Sequence, residues 1–142
     1  MKTVLGWREW GSLPDLNIPR IKMKVDTGAR TSCLHAFDLS PFEKDGEQWL
    51  RISLHPKQND NDTVHICEAK VLEQRVVRDS GGHEELRYVV ATRLRLNNEE
   101  WPIQLTLTNR DSMKFRMLLG RQAMLGRFMV DPKASYLLGK HA

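Results

Sequence analysis

Apolar and polar residues alternate along much of the chain, and a period of two residues predicts β-strands. The clearest run begins at Ile18 and ends at Asp26. Its two faces are an apolar one, with Ile21, Met23 and Val25, and a polar one, with Lys22 and Lys24. We therefore expect a half-buried strand that places an acid at its end.

Similar runs predict further strands, over residues 4–10, 32–37, 49–54, 64–77, 86–96, 101–108, 115–119, 128–130 and 135–138. Turn residues separate them at 11–15, 41, 45–46, 97–98 and 109–112, and a polar loop covers 56–63. One short amphipathic helix is predicted over 122–127. This pattern favours an all-β fold, either a closed barrel or a sandwich, with residues 1–142 as a single domain.

Composition and charge restrict the class of protein. The hydrophobic content of 40% and the mean hydropathy of −0.51 are typical of a water-soluble globular domain. Since no apolar window approaches the length of a membrane span or a signal peptide, we expect a cytoplasmic protein without membrane contact. The net charge of +4 allows an acidic partner. The basic residues are spread along the chain, which argues against nucleic acid.

The candidate chemistry lies where the strand of residues 18–26 ends, in Asp26-Thr27-Gly28-Ala29. The Thr27 hydroxyl can lock a tight loop through bonds to the backbone, and Gly28 lets a partner or substrate approach closely. A second stretch, Met117-Leu118-Leu119-Gly120-Arg121, predicts an apolar strand that ends in glycine before the helix. Taken without this second stretch, the acid is explained equally well by a simple Asx turn.

Together the two stretches resemble the catalytic loop and the bracing strand of the retropepsin-like aspartic proteases. The resemblance implies a closed β-barrel of the acid-protease type with one short C-terminal helix. Two carboxylates brought close share a proton, so that one activates a water and the other protonates the substrate carbonyl. The chain has a single Asp-Thr-Gly. We therefore predict a homodimer in which the two copies of Asp26 face each other, with Thr27 and Gly28 as the other catalytic-loop residues.

A glycine-rich tip, Ser80-Gly81-Gly82-His83, separates two long predicted strands and so predicts a β-hairpin. The hairpin is either an ordinary surface feature or a flap over a substrate, because glycines supply the freedom that a lid needs. As a flap it would place Gly82, His83 and Glu84, together with Glu85, near the substrate.

Two arginines distinguish this loop from that of the viral proteases. There an acid follows the loop and pairs with the arginine of the second stretch, whereas here Arg30 takes that acid's place near Arg121. Two cations in one cleft need a negative partner. That partner is either an internal acid, Asp111 or Asp131, or an anionic substrate such as a glutamate-rich peptide. In the second case Ala29, Arg30 and Arg121 bind the substrate.

Five histidines and two cysteines raise the question of zinc. Cys33-Leu34-His35 is compact, but neither His-Glu-x-x-His nor Cys-x-x-Cys occurs. Since the sequence also has no phosphate-binding glycine loop, we predict no metal and no cofactor. Cys33 and Cys67 are expected to be buried thiols.

Nearly the whole chain resembles one bacterial family of retropepsin-like domains, labelled ATP-dependent zinc proteases and linked to RimK-type ATP-grasp ligases. The matching stretches are Gly6-Trp7-Arg8-Glu9-Trp10, Lys24-Val25-Asp26-Thr27-Gly28-Ala29-Arg30-Thr31-Ser32, Leu34-His35-Ala36, Gly82-His83-Glu84-Glu85, Thr106-Leu107-Thr108-Asn109-Arg110 and Met117-Leu118-Leu119-Gly120-Arg121. The resemblance implies an aspartic-type endopeptidase that removes glutamates added by the ligase to a ribosomal protein's C-terminus. The residues themselves support neither the zinc nor the ATP of the label.

Two other interpretations remain open. A non-catalytic module that binds acidic tails for a partner ligase keeps the arginines but needs no carboxylate at position 26. A zinc hydrolase is the third interpretation, and a metal assay after chelation tests it.

Overall fold

A computed structural model of the protein describes residues 2–57, 62–78, 81–109 and 115–139. Within them lie eleven strands, a 3-10 helix at Pro14–Leu16 and one α-helix, α1, at Arg121–Met124. The strands are β1 (Thr3–Leu5), β2 (Arg8–Leu13), β3 (Ile18–Asp26), β4 (Ser32–Ala36), β5 (Asp38–Lys44), β6 (Glu47–Leu54), β7 (His65–Arg78), β8 (Glu84–Leu96), β9 (Glu99–Asn109), β10 (Met117–Gly120) and β11 (Phe128–Val130). The predicted all-β class with one short helix is confirmed.

Nine of these strands form one sheet, in the order β2-β3-β10-β4-β9-β8-β7-β6-β5. Because Ser12 of β2 also pairs with Arg95 of β8, six strands from β2 to β8 in this order are joined in a ring. The link that completes the ring is this single residue pair, and a closed barrel stays a prediction. Strands β7, β6 and β5 extend from the ring as antiparallel neighbours, and β1 pairs with β11 in a separate parallel sheet.

The apolar faces that the alternation predicts form the core. Ile21, Met23 and Val25 of β3 are buried, while Lys24 on the other face is exposed. Neighbouring strands add further fully buried side chains, among them Leu34, Leu94, Leu96, Leu105 and Leu119. Each such side chain contributes about 1.5–3 kcal/mol on leaving water. The core therefore holds β3 in place, and the end of β3 fixes the position of Asp26.

Two predicted turns lie inside strands instead. Gly11 belongs to β2, opposite Ile21, and the strand register shifts between Gly11 and Leu13. The glycine therefore marks a bulge. Pro41 lies within β5 and pairs with Leu50 of β6. β5 is the outer strand of the sheet, which is where a proline within a strand is tolerated.

The C-terminal predictions are partly wrong. The helix ends at Met124, before residue 127, because Leu125 has an extended ψ of 129° and Gly126 a φ of +77°. Residues 135–138 form no strand, since the Tyr136 backbone N–H donates to the Arg8 carbonyl and Tyr136 itself has a φ of +54°. Residues 110–112 of the predicted turn and residues 58–61 of the predicted loop lie outside the described residues.

A buried carboxylate joins the two ends of the described chain. Glu9 has no exposed surface. Its Oε2 accepts hydrogen bonds from the backbone N–H groups of Gly6 at 2.7 Å and Leu137 at 2.9 Å, and its Oε1 accepts one from Leu138 at 3.2 Å. Such charge-assisted bonds compensate a carboxylate for its lost hydration. Glu9 is therefore the structural reason why residues 137 and 138 lie alongside β2.

Within the described ranges, no helix has the length and apolar character needed to cross a lipid bilayer.

Replacing Glu9 with alanine should lower the free energy of unfolding by about 3 kcal/mol, because three backbone donors lose a charged acceptor. Urea denaturation followed by tryptophan fluorescence measures this. The control is Glu68→Ala, which removes an exposed ion pair with Arg51 and should cost about 0.5 kcal/mol or less. Equal losses in the two variants would contradict the assigned role of Glu9.

Candidate active site

The loop that carries Asp26 is held by β10 and by the first residues of α1. β3 and β10 run in parallel, with Gly120 opposite Asp26. Beyond this pair, the Arg121 N–H donates to the Ala29 carbonyl at 2.9 Å, and the Gln122 N–H donates to the Arg30 carbonyl at 3.1 Å. The first N–H groups of a helix have no partner within it. The carbonyls of the loop satisfy them, which fixes the loop against the helix.

The Asp26 carboxylate is oriented by its own loop. Its Oδ1 accepts a hydrogen bond from the Gly28 N–H at 3.0 Å, and the Ala29 N–H donates to the Asp26 carbonyl at 3.2 Å. The first bond is that of an Asx turn, so the simple turn and the braced loop of the sequence analysis occur together. Asp26 is partly exposed, while Thr27 and Gly28 are exposed. One carboxylate oxygen is therefore fixed at the surface of the single chain.

Gly120 is required by the close approach of two backbones. A Cβ at this position would lie 2.6 Å from the Thr31 carbonyl carbon and 2.8 Å from the Ser32 nitrogen. The Gly120 N–H donates to the Ser32 Oγ at 3.0 Å, and the Thr106 Oγ1 donates to the Ser32 carbonyl at 3.2 Å. Through these two bonds, one buried serine at the end of the loop links the loop to β10 and to β9.

Ser32 is a site residue that the sequence analysis did not single out. Apart from its place at the end of the matching stretch of residues 24–32, its signal in the sequence is a small hydroxyl at the start of a largely apolar strand, which also suits many surface serines.

The two arginines have different surroundings. Arg121 Nη1 lies 3.4 Å from the Thr27 carbonyl oxygen and 3.3 Å from that of Gly28, so this side chain helps to hold the loop. Arg30 is exposed. In the described part of the chain, no carboxylate forms an ion pair with either arginine, and Asp131 Oδ1 instead accepts the Lys133 N–H at 3.0 Å. The other candidate acid, Asp111, lies outside the described residues.

The predicted hairpin is present as β7 and β8, although Asp79 and Ser80 at its tip lie outside the described residues. Gly82 has a φ of +84°, and Glu84 forms an ion pair with Arg78 across the two strands. Val76 and Leu86 pair directly and are each 59% exposed. An exposed apolar pair near a glycine tip is suited to contact a ligand or partner.

The structure therefore brings together one group of the predicted site residues. Asp26, Thr27, Gly28, Ala29 and Arg30 form the loop that Arg121 contacts. Gly82, His83 and Glu84 belong to a separate element, the hairpin tip, and their role at the site stays a prediction.

The thiols are poorly suited to metal binding or nucleophilic chemistry. Cys33 and Cys67 are free and buried. Burial raises the pKa of the Cys33 thiol above its usual range and that of Cys67 to about 11, and a protonated thiol is a weak ligand and nucleophile. Among the residues with a described structure, no three His, Cys, Asp or Glu side chains are grouped closely enough to hold a metal ion.

Comparison with known proteins gives a family. A family model described as "RimB-like: Retropepsin-like aspartic endopeptidase RimB" matches residues 4–141. The chain is 54% identical over 138 residues to a protein of Parasynechococcus marenigrum named "Probable alpha-L-glutamate ligase". Proteins of the same name from Desulfotalea psychrophila and Shewanella pealeana are 46% and 47% identical over 139 residues. These matches cover 97–98% of the chain but 30% of the relatives' length.

A solved structure has a similar fold. It is the crystal structure of a protein with unknown function from Legionella pneumophila, with a TM-score of 0.76 and 27% sequence identity. The match covers 96% of this chain and 98% of that one.

The Gly120→Ala variant should have a free energy of unfolding lower by about 1–3 kcal/mol, because the added methyl meets backbone atoms that cannot move aside independently. Urea denaturation measures the difference. Gly11→Ala is the matched control, since the nearest atom there is the terminal methyl of Met23 at 2.6 Å, which can rotate away. If Gly11→Ala lowers the free energy of unfolding by as much as Gly120→Ala does, the close backbone approach at Gly120 is not the cause of the loss.

Proposed function

The chain belongs to the RimB-like family of retropepsin-like aspartic endopeptidases, and on this premise we propose that it is an aspartic-type peptidase that cleaves acidic, glutamate-rich peptide tails. The observation that carries the proposal is the Asp26 loop. Gly28 fixes one carboxylate oxygen, and the parallel β10 with Gly120 braces the loop from behind. Peptide hydrolysis of the aspartic type uses such an oriented carboxylate to activate water.

In the proposed mechanism, Asp26 acts with its copy from a second chain. One carboxylate is ionised and takes a proton from a water molecule, whose oxygen attacks the peptide carbonyl carbon. The other is protonated and donates to the carbonyl oxygen. The tetrahedral intermediate then breaks at the C–N bond: the carboxyl group that took the proton of water gives it to the nitrogen, which leaves as the amine, and the other carboxylate takes a proton back from a hydroxyl of the intermediate as the product acid forms. Thr27 and Gly28 act as the scaffold that keeps each carboxylate in place.

Two features of the single chain support a homodimer. Thr27 and Gly28 are exposed, so a second copy can reach the loop. Leu125, Met129 and Val4 near the β1–β11 sheet are 70%, 60% and 39% exposed, and no third strand among the described residues pairs with this two-stranded sheet. Exposed apolar side chains beside open strand edges favour association. We propose that these residues form part of the contact between the copies.

The charge around the loop supports an acidic substrate. Arg30 is exposed, and Asp131, one of the two acids considered as an internal partner, pairs with a backbone N–H instead. An incoming carboxylate can bind Arg30 through a bidentate pair. Arg121 is engaged by the loop carbonyls at Nη1, and we propose that its other donors assist. Ala29 and the hairpin-tip residues Gly82, His83 and Glu84 complete the proposed substrate contacts.

The names of the relatives support a link to glutamate chemistry. The curated relatives are named glutamate ligases, and this chain spans about 30% of their length. We propose that the peptidase removes glutamates that a ligase of the ATP-grasp class has added, with a ribosomal protein's C-terminus as the substrate that the family resemblance implies. A binding module that holds acidic tails for such a ligase is the alternative, because Arg30 serves either role.

Changing Asp26 to asparagine separates the two functions. The peptidase should lose turnover by a factor on the order of 10³ or more, since an amide can neither take the proton of water nor transfer a proton to the carbonyl oxygen. Binding of the acidic peptide should persist. The measurement is release of glutamate from a glutamate-tailed peptide, followed by mass spectrometry.

Asp45→Asn is the control for this experiment, because Asp45 is exposed and has a φ of +54°, which asparagine adopts readily. Its turnover should match that of the unmodified protein. If no glutamate-tailed peptide is cleaved and Asp26→Asn leaves peptide binding unchanged, the binding module is the correct function.

The Leu125→Lys, Met129→Lys double variant should sediment as a single chain at concentrations where the unmodified protein is a dimer, because two charges enter the proposed contact. Turnover should fall with the dimer fraction and recover as the protein concentration rises. Val64→Lys, at an exposed apolar residue outside the proposed contact, should change neither property. An unmodified protein that cleaves substrate as a monomer would exclude the shared site.

A further inference from the structure

The outer face of β2 and β3 combines cations with stacked aromatic rings. The register places Arg8 opposite Lys24 and Trp10 opposite Lys22. Arg20 and Tyr136 complete this surface, which we call the cation–aromatic face: Arg8, Trp10, Arg20, Lys22, Lys24 and Tyr136.

The side chains of the cation–aromatic face form a continuous stack. The Arg20 guanidinium lies 4.1 Å from the centroid of the Trp10 ring, and Trp10 stacks on Tyr136 with 6.3 Å between centroids. Arg8 lies 4.8 Å from the Tyr136 ring and 4.6 Å from that of Trp7. A stacked guanidinium keeps the in-plane N–H donors that a carboxylate needs. The stack therefore holds cations in fixed positions for an anion.

The charges on this face differ from most of those on β6 to β8. On β6 to β8 most basic side chains at the surface have acidic partners, and Arg95 is an exception: Arg51 pairs with Glu68, Lys70 with Glu47, Arg75 with Glu73, Arg78 with Glu84, and Arg93 with Asp15 and Glu100. On the cation–aromatic face, by contrast, Arg8, Arg20 and Lys24 have no ion pair with any acid in the described ranges. Positive charge is therefore left for an external partner on this face.

We propose that the cation–aromatic face binds an extended, glutamate-rich peptide and so acts as a second binding site for the tail of the substrate. The inference rests on the proposed peptidase function. Alternate residues of a strand are about 6.6–6.8 Å apart, and alternate glutamates of an extended tail have the same spacing. Arg20 and Lys24 can therefore each meet a carboxylate of one tail without either chain bending.

The position of the face relative to Asp26 sets a length for the tail. Lys24 and Asp26 lie on the same side of β3 by alternation, two residues apart, and Arg20 lies four residues before Lys24. At about 3.3 Å per residue, a tail that reaches from Asp26 to Arg20 has about six residues. A tail of three glutamates can reach Lys24 from the catalytic loop but is too short to reach Arg20.

The same stack argues against single-stranded nucleic acid as the occupant. Bases bind such surfaces by stacking on open aromatic rings. Arg20 covers Trp10, Tyr136 stacks on Trp10, and Arg8 covers Tyr136. The groups presented outward are cationic donors, which suit carboxylates.

The test compares two double variants that each remove two exposed positive charges, in full-length protein that also carries Asp26→Asn to prevent turnover. Arg20→Ser, Lys24→Ser alters the face, and Arg51→Ser, Lys70→Ser is the matched control on β6 and β7. The probe is a fluorescein-labelled peptide of ten glutamates, and its binding is measured by anisotropy. The face variant should raise the Kd about fivefold and the control less than twofold, with the difference lost at high salt.

Equal Kd values in the two variants would overturn the inference, as would a uridine decamer that displaces the peptide at lower concentration than unlabelled decaglutamate does. In protein with Asp26 intact, the single variant Arg20→Ser should raise KM for a ten-glutamate tail and leave both kcat and the KM for a three-glutamate tail unchanged. If the Kd difference appears but no tail is cleaved, the cation–aromatic face binds the peptide and the proposed peptidase function is wrong. If cleavage occurs without a Kd difference, the peptidase function is supported and the proposed binding role of the cation–aromatic face is wrong.

Discussion

The site depends on one backbone constraint, the parallel pairing of β3 with β10 at Asp26 and Gly120. Two strands and the exit of a loop meet there with no space for a Cβ. The buried core fixes β3 from one side, and Ser32 fixes the loop's exit from the other. Because these contacts are made by backbone and by small side chains, the position of the carboxylate depends little on flexible groups. Rigid support of this kind is what an acid–base residue requires.

Sequence patterns predicted the elements with strong periodicity and missed those that depend on contacts between distant residues. β3 was predicted with its bounds, since its alternation is regular and its burial one-sided. Residues 135–138 are apolar enough to suggest a strand, but Glu9 takes two of their N–H groups from more than 120 residues away in sequence. Gly11 indicated a turn, and only the strand register shows that it belongs to a bulge. Local patterns do not contain such information.

The same distinction holds for the site. The acid, the hydroxyl and the glycine of residues 26–28 are recognisable because their types and order are unusual. Ser32 and the carbonyl contacts of Arg121 are not, since a serine or an arginine at those positions suits many surfaces. The residue type of Arg30 and Arg121 indicated a shared need for an anion, whereas the structure shows that Arg121 already has partners in the loop. The need for an anionic partner could be predicted from the residue types. Which of the two arginines binds the loop and which is exposed could not.

The one-turn helix α1 has a mechanical consequence. Its first N–H groups hold the carbonyls of residues 29 and 30, and Leu125, 70% exposed, follows directly after its last residue. A helix of four residues is about 6 Å long, so only one helical turn separates the loop contacts from Leu125. If the copies meet at Leu125, order in the loop and association of the chains are thermodynamically linked. A ligand that orders the loop then raises the affinity of the two copies for each other, and dimer formation raises the affinity for that ligand by the same factor.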